Sequence, residues 1–124
     1  MKREANVSEM QGCVLTAVIG VEGSHLIFEC ANGAQFQMYH EQDCCETVTL
    51  ESVEGDLADL IGEPLLIAEE VCDDAYADAH TGDGVESSTW TFYKFATVKG
   101  YATLRWFGES TGYYSESVDF FKCK

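Results

Sequence analysis

The sequence predicts a mainly β (α+β) fold, namely a single twisted antiparallel sheet or a partly closed barrel of seven to eight strands with one short helix. Three observations support this fold class. Runs of β-branched and aromatic residues recur along the chain, turn residues separate them, and one segment has helical spacing. Parallel strands are not expected, because no segment supplies helices of the length that crossover connections need.

The 124 residues are enough for one domain with a hydrophobic core. Residues 1–11 are polar and are expected to form a flexible N-terminal arm. Residues 12–124 are then expected to form a single β-rich domain.

The first strands are predicted from apolar and alternating runs. Cys13–Val21 is apolar and rich in β-branched residues, which favours a strand. His25–Cys30 and Gln35–Tyr39 alternate apolar and polar side chains, and Asn32-Gly33 between them is a strong hairpin signal. Thr47–Val53 is the next strand candidate, so the residues before it are expected to form a third hairpin.

The helical segment follows at Leu57–Ile61. Asp56 is suited to cap it, and Leu57, Leu60 and Ile61 recur at helical spacing. Gly62 and Pro64 end it. Four more strands and one long acidic loop are predicted after it: Leu65–Val71, the loop Asp73–Ser88, Thr89–Val98, Tyr101–Phe107 and Tyr113–Phe121.

The charge of the chain is strongly negative and unevenly distributed. The formal net charge is −15, and residues 4–93 contain nineteen Asp or Glu and no Lys or Arg. Non-specific binding to nucleic acid is not expected, because Lys and Arg supply that affinity. The imbalance favours basic proteins or metal ions as partners, or else it serves solubility alone.

The segment from His40 to Glu46 concentrates metal-binding chemistry. His40 and Cys44 are spaced to bind one zinc ion, and Cys45 could join them from a turn, where strand alternation breaks. Cys72 is the first choice for a fourth ligand, with His80 or Asp43 as alternatives. The alternative for the whole segment is structural, with one cysteine in the core and His40 at a strand end.

Two further groups of residues suggest binding surfaces. The first is acidic and is the predicted partner-binding surface; its members are Glu69, Glu70, Asp73, Asp74, Asp78 and Asp83. Their spacing does not match a calcium loop, and a catalytic pair would need a raised pKa that an exposed loop does not supply. The second group is aromatic, and Arg105 beside Trp106 could bind the phosphate of a nucleotide.

Blocks of sequence resemble a family of small acidic proteins of bacteriophages and prophages with no assigned activity. The blocks are His40–Glu46, Gly55–Leu57, Asp59–Gly62, Ala68–Glu70, Thr89–Thr97, Lys99–Tyr101, Arg105–Trp106 and Gly112–Glu116. Phage proteins of this size and charge resemble inhibitors of host defence, including anti-CRISPR proteins. The resemblance therefore implies a non-enzymatic inhibitor that binds a basic Cas9-type effector and hinders nucleic-acid loading. The alternative is a sponge that sequesters a nucleotide immune signal.

The location expected from sequence is the cytoplasm. The first residues lack the apolar stretch of a secretory signal, and no apolar run has the length of a membrane span. The six cysteines lack the spacing of a disulfide framework, so reduced thiols are expected. No motif of a known catalytic class is present, and the chain is not expected to be an enzyme.

Overall fold

The protein is mainly β, and the residues that the structure describes contain nine strands in two antiparallel sheets that do not close into a barrel. The computed structural model describes residues 2–42, 45–74, 87–110 and 116–124, with the backbone alone at 73, 74 and 87. The strands are β1 (Arg3–Glu4), β2 (Leu15–Ile19), β3 (Leu26–Cys30), β4 (Gln35–Tyr39), β5 (Thr47–Gly55), β6 (Ile67–Asp74), β7 (Ser87–Thr97), β8 (Gly100–Ser110) and β9 (Asp119–Lys122).

One sheet has five strands in the order β1-β9-β4-β3-β2, and the other has four in the order β5-β8-β7-β6. All the strand pairs in both sheets are antiparallel, which confirms the predicted fold class. Instead of the predicted single sheet or partly closed barrel, the structure has two sheets that pack around a shared core. Phe28 of the five-stranded sheet and Phe95 of the four-stranded sheet lie 5.7 Å apart between ring centroids.

The helical signal at Asp56 produces a short 3-10 helix, Leu57–Leu60, and two others occur at Val7–Met10 and Val21–Gly23. Asp56 acts as predicted, since its side chain accepts a hydrogen bond of 2.9 Å from the Ala58 amide. The Asn-Gly hairpin between β3 and β4 is also present. Gly33 has a φ of 90°, a value that glycine adopts without steric penalty.

The N-terminal residues are packed into the fold. Arg3 and Glu4 pair with β9, and Val7 and Met10 are buried in the core. The expectation of a flexible arm over residues 1–11 therefore differs from the structure. Two apolar side chains among polar residues are enough to anchor a short segment when a neighbouring strand edge is available.

The third hairpin predicted from sequence, between β4 and β5, is wrong. β4 pairs with β3 and β9, whereas β5 pairs with β8, so the connecting residues 40–46 cross from one sheet to the other. Local sequence did not reveal this, because β8 lies some fifty residues away along the chain and the pairing depends on burial across that distance.

Candidate functional site

The segment His40–Glu46 is the crossover between the two sheets, and we call it the crossover segment. It follows β4 and precedes β5. Asp43 and Cys44 lie outside the described residues. The Gln42 side chain donates a hydrogen bond of 2.7 Å to the Glu46 carbonyl, which folds the segment back on itself.

His40 and Glu46 form a buried pair within the crossover segment. His40 Nε2 lies 2.6 Å from Glu46 Oε2, and the side chains are 4% and 0% exposed. His40 Nδ1 lies 2.7 Å from the Ser117 carbonyl oxygen, which can only accept, so this nitrogen carries a proton. The Nε2 contact then needs a second proton, held by the imidazole or by the carboxyl group. The pair thus links the crossover segment to the residues before β9.

Three of the proposed zinc ligands, His40, Cys45 and Cys72, lie in the part of the chain that the structure describes. Both ring nitrogens of His40 already bond to protein atoms, and Cys45 takes part in a disulfide bond, so its sulfur is not a thiolate. This disulfide also differs from the expectation of reduced thiols. Cys72 lies on β6, where its sulfur is 3.9 Å from the Thr91 hydroxyl.

Among residues 2–42, 45–74, 87–110 and 116–124, no group of three or more His, Cys, Asp and Glu side chains is arranged to hold a metal ion. Cys44 and the alternative ligands Asp43 and His80 lie outside those ranges. Zinc at the crossover segment stays a prediction.

The acidic residues predicted to bind a partner are divided by the alternation of β6. Glu69 pairs with Lys94 on the outer face of the four-stranded sheet, whereas Glu70 pairs with Tyr93 on the inner face. Asp73 and Asp74 lie at the end of β6, with backbone positions only. Asp78 and Asp83 lie outside the described residues.

Glu70 faces a cavity between the two sheets, which we call the acidic cavity. Its volume is about 690 Å³. Five carboxylates line it together with hydroxyl, amide, thiol and apolar groups: Glu4, Glu9, Glu70, Glu116, Asp119, Asn6, Thr89, Thr91, Tyr93, Ser117, Cys72, Ala5, Val7, Val118 and Phe120. These residues come from both sheets and from the N-terminal segment. The cavity is therefore a product of the tertiary fold.

Neutral donors hold several of these carboxylates in place. Tyr93 donates a hydrogen bond of 2.9 Å to Glu70, and Glu116 accepts from the Thr89 and Ser110 hydroxyls at 2.8 and 2.6 Å. Burial and the neighbouring Glu70 carboxylate raise the pKa of Tyr93 far above its usual value. Tyr93 consequently stays protonated at neutral pH and remains a donor. Such bonds fix the carboxylates without neutralising their charge.

Glu9, at the cavity wall, does have a cationic partner. Arg3 Nη2 lies 2.7 Å from Glu9 Oε1. The hydrogen bond from Arg3 and a second from the Asn6 amide lower the pKa of Glu9 to about 2. Glu9 is therefore charged over the whole physiological range.

Sequence reasoning found Glu70 but missed the carboxylates that the fold brings to it. Glu116 is 9% exposed, and Asp119 accepts a hydrogen bond of 2.8 Å from the Glu41 amide. Glu116 ends one of the blocks that carry the family resemblance, which was the available signal. Glu116 accepts hydrogen bonds from Thr89 on β7 and Ser110 on β8, and no local sequence pattern indicates these contacts.

A second surface lies on the outer side of the four-stranded sheet, and we call it the aromatic–arginine face. The Arg105 guanidinium lies 5.0 Å from the centroid of the Trp90 ring. Trp90 in turn contacts Phe107 at 4.7 Å and Phe92 at 6.1 Å between ring centroids. A groove of about 640 Å³ beside them is lined by Glu54, Val71, Cys72, Phe92, Lys94, Thr103 and Arg105.

Arg105 and its sequence neighbour Trp106 lie on opposite faces of β8. Trp106 is 1% exposed and points into the core, because adjacent residues of a strand face opposite sides. The aromatic partner of Arg105 is Trp90, which lies on the opposite face of β7 from the core-facing Tyr93 and Phe95. Ser52 also binds Arg105, at 3.1 Å.

The comparisons with known proteins identify the family of the chain, and the function of that family is unknown. In the described ranges, no helix has the length and apolar character needed to cross a membrane. Neither a curated protein nor a solved structure matches the chain. The family model for a domain of unknown function, DUF7448, matches residues 3–120. Because this match covers almost the whole chain, the protein belongs to the DUF7448 family.

Proposed function

We propose that this protein is a non-enzymatic binding protein whose acidic cavity receives basic groups of a partner protein. The observation that carries the proposal is the convergence of five carboxylates from both sheets and the N-terminal segment on one cavity, and none of the described residues that line it is a Lys or an Arg. An ammonium or guanidinium group inserted there would complement this charge and bond to fixed oxygens.

The hydrogen bonds inside the acidic cavity suit it for binding. Thr89 and Ser110 each donate to Glu116, and Tyr93 donates to Glu70, so these carboxylate oxygens are held in fixed positions. The arrangement is suited to recognising a cation.

We propose further that the basic partner is a host defence nuclease. The resemblance to small phage and prophage proteins and the net charge of −15 support a Cas9-type effector, with hindered nucleic-acid loading as the mechanism. The protein would then act in the host-cell cytoplasm. The long stretch without Lys or Arg would attract the basic channel of such an enzyme and raise the association rate.

Biolayer interferometry against a guide-free Cas9-type effector tests whether such a nuclease is the partner. Binding should weaken strongly between about 0.05 and 0.5 M salt, because the Debye length falls from roughly 14 to 4 Å. The charge reversal Glu70→Lys with Asp74→Lys should slow association. Absence of binding would reject the Cas9-type partner, and an equal association rate in the variant would reject electrostatic attraction at β6.

A matched pair of double variants tests the acidic cavity itself. Glu70→Gln with Asp119→Asn removes two charges from the cavity but keeps oxygens that accept the observed hydrogen bonds. Glu22→Gln with Glu51→Gln removes two charges from exposed positions outside the cavity lining. The cavity variant should lose about tenfold or more in affinity, equal to about 1.4 kcal/mol. Equal losses in both variants would assign the binding to net charge alone.

Zinc in the crossover segment belongs to the same proposal. It requires His40 to exchange its bond to Glu46 or Ser117 for a metal bond, and it requires Cys45 to be reduced. Elemental analysis of reduced protein purified without added metal should then give near-stoichiometric zinc. A metal-free protein with the same melting temperature with and without chelator would reject it.

A nucleotide sponge is the second candidate, and the aromatic–arginine face favours it. Trp90 and Phe92 offer ring faces for stacking, and Arg105 and Lys94 offer cations for a phosphate. Calorimetry against cyclic and linear nucleotides should give heat that Arg105→Ala abolishes, while Lys99→Ala, outside the groove lining, keeps it. An absence of heat in the wild type would reject this candidate.

A further inference from the structure

One edge of the four-stranded sheet is formed by β6, which has β7 as its neighbour on one side. Within the described ranges, no strand pairs with the other side of β6. The ladder with β7 runs over eight consecutive residues without a bulge. A strand at the end of a sheet directs about half of its amide and carbonyl groups away from its neighbour, where a further strand can bind them. We call this open side of Ile67–Cys72 the β6 edge.

The other edge strands in the described part of the chain are less suited to accept a strand. β1 contains only two residues. The register of β2 is interrupted between Leu15 and Ala17, and that of β5 between Leu50 and Ser52. Short strands and bulges are the usual means by which proteins protect a sheet edge from further pairing. The β6 edge is long and regular by comparison.

The N-terminal segment covers the residues just before β6. The Gly12 amide donates to the Leu65 carbonyl at 2.7 Å, and the Gln11 side chain donates to the Leu66 carbonyl at 3.1 Å. The 3-10 helix of this segment also packs against β6. From Glu69 to Cys72, however, every side chain is exposed. This part of the β6 edge is therefore open to solvent.

The outer face of the β6 edge alternates apolar, acidic and apolar side chains. Ile67 and Val71 are 45% and 41% exposed, and Glu69 lies between them on the same face. Lys94 is opposite Glu69 on β7, but no ion pair joins the two in the described part of the chain. A strand added along β6 would cover both apolar side chains and give Glu69 a second cross-strand neighbour.

We propose that the β6 edge binds an extended segment of the basic partner, which adds a strand to the four-stranded sheet. On the outer face, this segment has Lys or Arg opposite Glu69 and apolar residues opposite Ile67 and Val71. Oppositely charged pairs and apolar pairs across strands both stabilise such an addition. This mode of binding rests on the proposed function, because it needs the same basic partner. The two surfaces are adjacent, since Glu70 and Cys72 of β6 line the acidic cavity.

The charge of β6 disfavours a second copy of this chain as the added strand. Four of the eight residues of β6 are acidic. In an antiparallel pair of copies centred on Glu69, the two Glu69 side chains would lie opposite each other, and like charges in that position are destabilising. Two chains with a net charge of −15 each also repel one another. A strand that carries Lys or Arg is attracted by the same residues.

NMR titration of the full-length protein with a capped peptide, Thr-Ile-Thr-Lys-Thr-Ile-Thr, tests the proposal. The two isoleucines and the lysine lie on one face of the extended peptide, in the order that the β6 edge requires. We expect shifts of the β6 amide signals and nuclear Overhauser effects between the backbone protons of the peptide and those of β6. The control peptide is N-methylated at every amide, so it keeps the charge but cannot donate backbone hydrogen bonds, and it should not bind. Absence of binding by the first peptide, or equal binding by the control peptide, would overturn strand addition.

Two matched charge reversals test the position of the peptide. Glu69→Lys places a like charge opposite the peptide lysine and should weaken its affinity about fivefold. Glu51→Lys makes the same change at an exposed residue of β5, where the ladder is irregular, and should leave the affinity almost unchanged. Equal losses in the two variants would assign peptide binding to net charge and overturn pairing at Glu69.

Strand addition and the acidic cavity fail separately. A peptide that does not bind overturns strand addition and leaves the cavity to its own test, the Glu70→Gln with Asp119→Asn variant. Glu69 is not among the residues that line the cavity, so its reversal changes the β6 edge alone. Analytical ultracentrifugation of the protein without peptide should show a monomer. A dimer that Glu69→Lys dissociates would overturn the proposal, because a second copy would then occupy the β6 edge.

Discussion

The acidic cavity and the aromatic–arginine face lie on opposite sides of the same strands and have opposite chemistry. On β7, Thr91 and Tyr93 face the acidic cavity, whereas Trp90 and Phe92 face outward. On β6, Glu70 faces the cavity. The period of two residues thus divides one stretch of sequence into two unlike surfaces.

The two surfaces also differ in how their charges are balanced by neighbouring groups. In the acidic cavity, carboxylates such as Glu70 and Glu116 are bonded by neutral hydroxyls. On the aromatic–arginine face, the Arg105 cation lies over the Trp90 ring and 4.0 Å from Glu54, so its charge is partly balanced. The cavity therefore keeps the less compensated charge, which is why we place the primary binding function there.

The comparison predicts the largest difference in stability between two phenylalanines of β7. Phe95 is 1% exposed in the core, and Phe92 is half-buried on the aromatic–arginine face. Phe95→Ala should lower the free energy of unfolding by about 3 to 5 kcal/mol, because it leaves a cavity. Phe92→Ala should lower it by about 1 to 2 kcal/mol. Urea unfolding measures both, and equal values would contradict the assignment of inner and outer faces.

The next effect concerns the link between the two sheets. Glu46→Ala should lower the free energy of unfolding by about 1 to 3 kcal/mol, because it leaves a buried ring nitrogen of His40 without its hydrogen-bond partner. Glu41→Ala changes an exposed side chain of the same crossover segment and should stay within about 0.5 kcal/mol. Thermal and urea unfolding test this, and similar values for the two variants would show that the buried pair does not hold the sheets.

A pH titration compares Tyr93 at the acidic cavity with Tyr101, an exposed tyrosine on β8. The folded-state pKa of Tyr93 is raised above the ordinary value of 10.0, so its contribution to stability is complete below pH 10 and is lost as pH rises further. The loss should be at most about 1.4 kcal/mol per pH unit. Tyr93→Phe should remove this part of the slope, whereas Tyr101→Phe, on the exposed outer side, should keep it. Urea unfolding between pH 9 and 11 decides, and equal slopes in all three proteins would contradict the burial of Tyr93.

The smallest effect concerns Arg3, the cation that pairs with Glu9 beside the acidic cavity. Arg3→Gln should raise the pKa of Glu9 from about 2 towards its usual value of 4.5. The depressed pKa contributes stability above pH 4.5 that is lost as pH falls towards 2, and the variant should lack this dependence. NMR titration of the Glu9 side chain measures the shift. Arg105→Gln, on the aromatic–arginine face, is the control, and a similar shift there would contradict a local effect of Arg3.

Several residues of the candidate sites could be identified from the local sequence, but the contacts between them could not. The sequence indicated His40 and Glu70, and the alternation of β6 places Glu69 and Glu70 on opposite faces as predicted. The contacts of His40 with Ser117 and of Glu70 with Tyr93 join residues that are distant along the chain. Such contacts depend on which strands become neighbours, and alternation within one strand carries no information on that choice.

Local sequence patterns were enough to predict the antiparallel β class, the Asn32-Gly33 hairpin, the Asp56 cap and the two-faced pattern of β7. Each depends on the conformational preferences of a few neighbouring residues, which act before any tertiary contact forms. Three features depend on contacts between distant parts of the chain: the chain crosses between the two sheets after β4, the N-terminal residues are anchored, and Glu116 joins Glu70 at one cavity. These features follow from burial of apolar surface between distant strands, which selects one partner among several that are locally equivalent.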